Sequence, residues 1–265
     1  MPVAKIANFA FQNHTNITSV TISGSVTNIG LRPFTLCPNL TALNVAPQNA
    51  FYSSVNGVLL DKSQTALLAY PCGLGGGYTI SNGITSIGDS AFYSCALTSV
   101  TISGSVTNFG PRPFGDCTNL TAITVAPQNS FYVSVDSVLF NQGQTTLIEF
   151  PGGRGGTYTI TNLVAHIADF AFNNCPNLAG VTIPSSVTNL GIYAFQFCTS
   201  LASVAIPGSV TSVGLGAFGN CASLTNATIA QGVAILGDYS FQYCSSLTNA
   251  MVPGSVNRIG YAAFS

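Results

Sequence analysis

Apolar and polar residues alternate in short bursts along this chain. In Leu-Thr-Ser-Val-Thr-Ile (97–102), Val100 and Ile102 share one face and Thr101 points to the other, the period of a half-buried strand. The burst returns at a fixed interval. Cys175, Cys198, Cys221 and Cys244 are evenly spaced, each within Ala-Phe-x-x-Cys-x-x-Leu-x-x-Val-x-Ile-Pro-x-Ser-Val-Thr or a close variant. Aligned on the phenylalanine, the unit recurs at Phe11, Phe34, Phe92, Phe114, Phe172, Phe195, Phe218, Phe241 and Phe264 and fills the whole length. A unit of this size costs roughly 35 kcal/mol to order, and its half-dozen apolar side chains return only about 1.5–3 kcal/mol each. Stacking on neighbouring units must supply the rest.

Ten strand centres follow: Thr21, Asn44, Thr79, Thr101, Thr124, Thr159, Thr182, Ala205, Thr228 and Met251. Paired in parallel at about 4.8 Å per rung, they would make a sheet roughly 45–50 Å long. Ala-Phe-x-x-Cys is too short for an independent helix and is read as a short helical turn on the opposite side. Asp89, Asp169 and Asp238, just before that turn, read as its N-terminal caps. The predicted fold class is a repeat solenoid: a mainly β leucine-rich-repeat horseshoe with a parallel sheet on one face, short helical turns on the other, and two inserted β-hairpins.

The insertions lie where the cysteine interval lengthens, from Cys37 to Cys95 and from Cys117 to Cys175. Ala46-Pro47-Gln48-Asn49-Ala50-Phe51-Tyr52 is echoed in the second insertion by Ala126-Pro127-Gln128-Asn129-Ser130-Phe131-Tyr132. Apolar runs around Asp61-Lys62-Ser63-Gln64 and Asn141-Gln142-Gly143-Gln144 read as hairpins, giving modules near 46–77 and 126–156. The glycine-rich bends that follow lack the Lys-Ser/Thr ending of a phosphate loop and lead into strands, so they are structural turns. Residues 1–265 are expected to form a single solenoid. The chain starts and stops inside a repeat without polar caps, which reads as a piece of a longer array with open ends available for self-association.

Charge is scarce: six basic and seven acidic side chains, with a net charge of −1. A surface of Ser, Thr, Asn, Gln and Gly does not recruit nucleic acid or anionic membranes, and no stretch reads as a signal peptide or as a membrane span. Seven of the eight cysteines (Cys37, Cys95, Cys117, Cys175, Cys198, Cys221 and Cys244) hold one repeat position and read as a ladder of small buried thiols. Rung-to-rung disulfides are the alternative. A column along an axis does not converge on a metal, and no cofactor motif is present. His14 and His166 have no partner motif, and the aspartates are too far apart for paired-carboxylate chemistry, so no catalytic residue is assigned. Arg32 and Arg112 hold matching positions in the two superrepeats, each of which carries one insertion, and local ion pairing or exposure accounts for both.

The phrase Ile-Gly-x-x-Ala-Phe-x-x-Cys-x-x-Leu-x-x-Val-x-Ile-Pro-x-Ser-Val-Thr resembles the BspA-like, Treponema pallidum-type class of leucine-rich repeats over essentially the whole chain. The class's Gly-Val-Leu-Tyr and Leu-x-x-Tyr-Pro segments correspond to Asn56–Leu60 with Leu67–Pro71, and again around Ser137 to Pro151. The resemblance implies a surface or secreted protein of bacteria or protists, with adhesion to extracellular proteins or glycans, and carries no catalytic residues.

The outward strand positions are therefore the expected binding ribbon: Ser19, Thr21, Asn44, Ser99, Thr101, Thr124, Thr182, Ser203 and Thr228. Phe51, Tyr52, Phe131 and Tyr132 beside the insertions are its candidate aromatic anchors. Phe92, Phe172, Phe195, Phe218 and Phe241 are assigned to the core. Adhesion is the leading function, with a structural spacer or stalk as the alternative. Ice or mineral binding by a threonine lattice is disfavoured by its interruption at Ala205 and Met251.

Overall fold

A computed structural model describes residues 2–265. The chain divides into two compact units, Met1–Leu120 with Thr124–Phe131, and Thr121–Ile123 with Tyr132–Ser265. Both are built from β-strands and turns.

In the C-terminal unit each coil contributes a longer strand to one face and a two-residue strand to another. The longer strands Ser203–Ile206, Asn226–Ile229 and Asn249–Met251 pair in parallel, with Ala205, Thr228 and Met251 in one register column. The short strands His166–Ile167, Asn189–Leu190, Ser212–Val213, Ile235–Leu236 and Arg258–Ile259 form a second parallel ladder. Each short strand turns tightly into the Ala-Phe segment, with Ala168 after the first and glycine after the other four, where the coils approach closely. A Cβ on Gly214 would lie 2.5 Å from the Gly191 carbonyl oxygen of the preceding coil.

The expected short helical turns are not there. No helix of any kind occurs among the described residues. Two local facts exclude one. The residues two before and two after Phe172, Phe195, Phe218 and Phe241 adopt positive φ, as in Tyr193 (54°) and Phe197 (62°) around Phe195, or Phe170 (62°) and Asn174 (53°) around Phe172. That costs about 1–2 kcal/mol per non-glycine residue relative to right-handed helix. The amides that an isolated helical turn would leave unpaired are instead bonded to the next coil: Tyr193 N to Leu215 O (2.8 Å), Phe195 N to Ala217 O (2.7 Å) and Phe197 N to Gly219 O (2.9 Å). The turn is held by its neighbour, and the fold is an all-β repeat solenoid.

The capping role read for the aspartates changes accordingly. Asp169 Oδ1 accepts the amide of Ile192 (2.7 Å) and Asp238 Oδ1 that of Tyr261 (2.9 Å), both amides belonging to the following coil. They fasten one coil to the next.

Phenylalanine rings run through the C-terminal core as a stack: Phe150, Phe172, Phe195, Phe218, Phe241 and Phe264, with successive centroids 4.9, 4.5, 5.1, 5.2 and 5.2 Å apart. Cys175, Cys198, Cys221 and Cys244 lie in the same core, as do Leu178, Leu201 and Leu224.

In the N-terminal unit Ser19–Ile22 pairs with Ala42–Val45, and Gly76–Thr79 pairs with Leu97–Ile102, all in parallel. The two pairs belong to different sheets, so the single ladder expected from the repeat is interrupted. The insertion is the cause. It forms a three-stranded antiparallel meander, Tyr52–Val55, Val58–Asp61 and Ala66–Ala69, rather than a two-stranded hairpin. Its Asn56-Gly57 tip closes the free edge of Ala42–Val45, where Leu43 N donates to Gly57 O at 2.8 Å. Its last strand pairs in parallel with Ser86–Ile87 and so becomes a rung of the second ladder. In the C-terminal unit Tyr132–Val135, Val138–Asn141 and Thr146–Glu149 repeat this meander and join His166–Ile167 in the same way.

A buried asparagine pins the first meander. Asn49 Nδ2 donates to Ser23 O (2.8 Å) and Val26 O (2.9 Å), while its Oδ1 accepts the amides of Phe51 and Tyr52 (both 2.8 Å). All four side-chain bonding positions are used at a fully buried site.

Candidate interaction surface

The longer strands alternate as a half-buried strand must. Ile22 and Leu43 are buried while Ser19, Thr21 and Asn44 are exposed. Thr21 stands opposite Asn44, and Thr101 opposite Thr79. Thr124, Thr182 and Ser203 are also exposed, whereas Ser99, Thr101 and Thr228 are half-buried. None of these nine side chains makes a hydrogen bond to another described residue. Threonines just before the strands behave differently, spending their hydroxyls on the preceding coil, as Thr41 does on Thr18 O (3.1 Å) and Thr225 on Ala202 O (3.0 Å). The backbone of the strands is committed to pairing, so the chemistry offered outward is side-chain hydroxyl and amide. No charged residue lies on any longer strand carrying these nine positions.

The aromatic anchors separate by alternation. Phe51 and Phe131 are each 51% exposed. Tyr52 turns inward and packs against the core containing Leu43 and Leu59, and its hydroxyl accepts the amide of Ile29 at 3.1 Å. Tyr132 is half-buried, and burial raises its phenol above the ordinary value. The phenylalanines have apolar area to offer a partner; Tyr52 holds the first insertion to the coil beside it.

The seven ladder cysteines, and Phe92, Phe172, Phe195, Phe218 and Phe241, are buried. All eight cysteines are free thiols. Cys198 Sγ donates to Phe172 O (3.1 Å), Cys221 to Phe195 O (3.2 Å) and Cys244 to Phe218 O (3.1 Å), so the thiols brace adjacent coils. Burial pushes the Cys95 and Cys198 thiols well above the usual range and keeps them protonated and poorly nucleophilic.

Three members of these rows were not recognised from the chain. Tyr70 and Phe150 take the ring position at the end of each insertion, Tyr70 lying 5.2 Å from Phe92 and Phe150 4.9 Å from Phe172. Burial, with the nearby Cys95, Tyr78 and Cys72, pushes the Tyr70 phenol up to about 12. Cys72, the cysteine outside the seven, is in fact in phase: it precedes Cys95 by one full repeat and its sulfur lies 2.7 Å from that of Cys95. The signal was the interval itself, hidden because the surrounding Tyr-Pro-Cys does not look like Ala-Phe-x-x-Cys.

No group of three or more His, Cys, Asp or Glu side chains able to hold a metal occurs among the described residues, and no helix there is long and apolar enough to cross a membrane.

Repeated coils, each with a longer strand, a short second-ladder strand and a buried leucine and phenylalanine, define a leucine-rich-repeat solenoid. The chain belongs to the BspA type leucine rich repeat region family, whose model matches residues 2–58, 77–154 and 157–265. Among solved structures it is similar to a leucine-rich repeat protein from Eubacterium ventriosum, at 22% identity and a TM-score of 0.59, covering 99% of this chain and 80% of that one. It is also similar to a leucine rich cell surface protein from Faecalibacterium prausnitzii, at 24% identity and a TM-score of 0.57, covering 96% of this chain and 84% of that one. No curated protein matches the chain.

Proposed function

We propose that this chain is a non-enzymatic interaction module of an extracellular or cell-surface protein, and that it binds a protein or glycan through the outward face of its longer strands. The observation that carries the reading is the set of exposed, uncharged hydroxyl and amide side chains on the longer strands of each unit, Ser19, Thr21, Asn44 and Thr124 in the first and Thr182 and Ser203 in the second, left unbonded while neighbouring threonines are bonded. Such a face offers many weak, directional contacts and little long-range attraction, which suits a neutral partner. Membership in the BspA-type family supports the interaction role. The surface location draws on the description of the Faecalibacterium relative as a cell surface protein. Phe51 and Phe131 are the apolar anchors in this reading.

The test is binding of the chain to immobilised extracellular-matrix proteins and to a glycan panel, beside a variant carrying Thr21→Lys and Thr124→Lys. Saturable binding that the folded variant loses is the expected result. Binding that the variant retains overturns the assignment to the strand face and moves the site elsewhere on the chain; no binding across the panel leaves a spacer role.

A further inference from the structure

In the N-terminal unit the row of rings is broken where the first insertion enters. Phe34 stacks on Phe11 at 5.6 Å, and Tyr70 packs tilted against Phe92 at 5.2 Å. A cleft of about 530 Å³ opens there, with Arg32, Tyr52, Ala69, Asp89, Ser90 and Tyr93 on its walls. This volume is in the range that takes a small ligand.

Arg32 is the cationic group of the cleft. Its Nε donates to Ser90 Oγ at 2.7 Å, and its guanidinium lies over the Tyr93 ring at 5.0 Å. Asp89 Oδ1 forms a looser ion pair with its terminal nitrogen at 3.6 Å and also accepts from Ser90 Oγ at 2.6 Å. A guanidinium presents five donors in a planar fork, and here one of them makes a short hydrogen bond. The side chain is 22% exposed, and the donors beyond those facing Ser90 and Asp89 remain for an incoming group.

The second superrepeat gives the internal comparison. There, Arg112 has Asp116 as an ion-pair partner at 3.3 Å, where Arg32 has Leu36 at the equivalent position. Ala69 on the cleft wall corresponds to Glu149, which is 7% exposed, and Ile29 corresponds to the larger Phe109. The first copy thus keeps the arginine, has Leu36 and Ala69 at the sequence positions of Asp116 and Glu149, and carries the smaller Ile29 where the second has Phe109.

We infer that this cleft binds a carboxylate carried on a short apolar stem, either a free small acid or an exposed glutamate side chain, with Arg32 taking the carboxylate and the wall around Ile29 and Ala69 taking the stem. Two parallel N–H···O bonds from a guanidinium are the strong, geometrically selective form of such recognition. The site is separate from the strand face, and its success or failure leaves that reading untouched.

The experiment titrates the folded chain with glutarate and, in a second arm, with the capped peptide acetyl-Gly-Glu-Gly-amide, following the backbone amides of Ser90 and Tyr93 by NMR. Glutaramide and the corresponding Gln peptide are the uncharged controls. The expected result is saturable shifts with the acids, at least tenfold weaker binding of the amides, and at least tenfold loss in Arg32→Gln. Response to glutarate alone identifies a free acid as the ligand class; response to the peptide identifies a presented side chain. Ala69→Glu installs the second copy's own carboxylate, and is expected to fold and to abolish binding by occupying Arg32. Absence of saturable shifts with either acid, equal binding of the amides, undiminished binding in Ala69→Glu, or failure of that variant to fold would each overturn the inference.

Discussion

Removing the ring at Phe195 should damage the fold more than removing the ring at Phe264, although the two occupy the same repeat position. Phe195 is fully buried and stacked on both sides, with Phe172 at 4.5 Å and Phe218 at 5.1 Å. Phe264 is 39% exposed and stacks on one ring, Phe241, at 5.2 Å. Truncating a fully buried phenylalanine to alanine costs about 3–5 kcal/mol, of which each stacked pair accounts for roughly 0.5–1.5. Phe195→Ala should therefore cost about 4 kcal/mol, the middle of that range. Phe264→Ala, with one stacking partner and part of its area already in water, should cost about 2 kcal/mol, scaling from the same range. Urea unfolding followed by tyrosine fluorescence measures both, since the chain has ten tyrosines and no tryptophan. Equal costs, or a cost below about 1.5 kcal/mol at Phe195, would refute stacking between coils as the main source of stability.

Asn49→Ala removes four side-chain hydrogen bonds from a fully buried position and strands the carbonyls of Ser23 and Val26 and the amides of Phe51 and Tyr52. The expected loss is roughly 3 kcal/mol or more, read by denaturant unfolding, with increased amide exchange concentrated in the first meander. Asp61 is pushed up by burial, but hydrogen bonds from Ser63, Ala66 and Thr65 outweigh this and hold its carboxyl below the ordinary range. Its contribution is therefore present above the unfolded value of about 3.9 and is lost as pH falls through the lower folded value. The Thr65 and Ala66 amides should lose protection in that acid window. Asp61→Asn should remove the dependence while keeping the turn, as Asn141 does by accepting Thr146 N at 2.8 Å in the other unit. An unchanged acid profile in Asp61→Asn contradicts this account of the turn.

The parts legible in the chain were those fixed by short-range alternation and by the period. All ten strand centres from Thr21 to Met251 lie in strands, and the cysteine row and the phenylalanine row from Phe34 to Phe241 are buried. The helical reading failed because the partners of the Tyr193, Phe195 and Phe197 amides are Leu215, Ala217 and Gly219 in the next coil, and no local pattern reveals such bonds. The strand Tyr52–Val55 was missed for a related reason: its Tyr-Ser-Ser-Val has weak apolar contrast, and it is held by Val58–Asp61 and by the hydroxyl of Ser54 on Val45 N (3.0 Å). On the candidate surface, alternation located Thr21 and Asn44 outward. It did not distinguish Phe51 from Tyr52, because the inward turn of Tyr52 depends on its bond to Ile29, in the preceding coil. The cleft at Arg32 needed both copies of the insertion and their side-chain packing.

Amide hydrogen exchange in the C-terminal unit, resolved by residue, is the most direct test of a turn held by its neighbour. Tyr193, Phe195 and Phe197 should be strongly protected, and Phe218→Ala should lower their protection by disturbing the coil that supplies the carbonyls of Leu215, Ala217 and Gly219. Rapid exchange of these amides in the native protein, or protection that ignores the substitution in the next coil, would contradict the account.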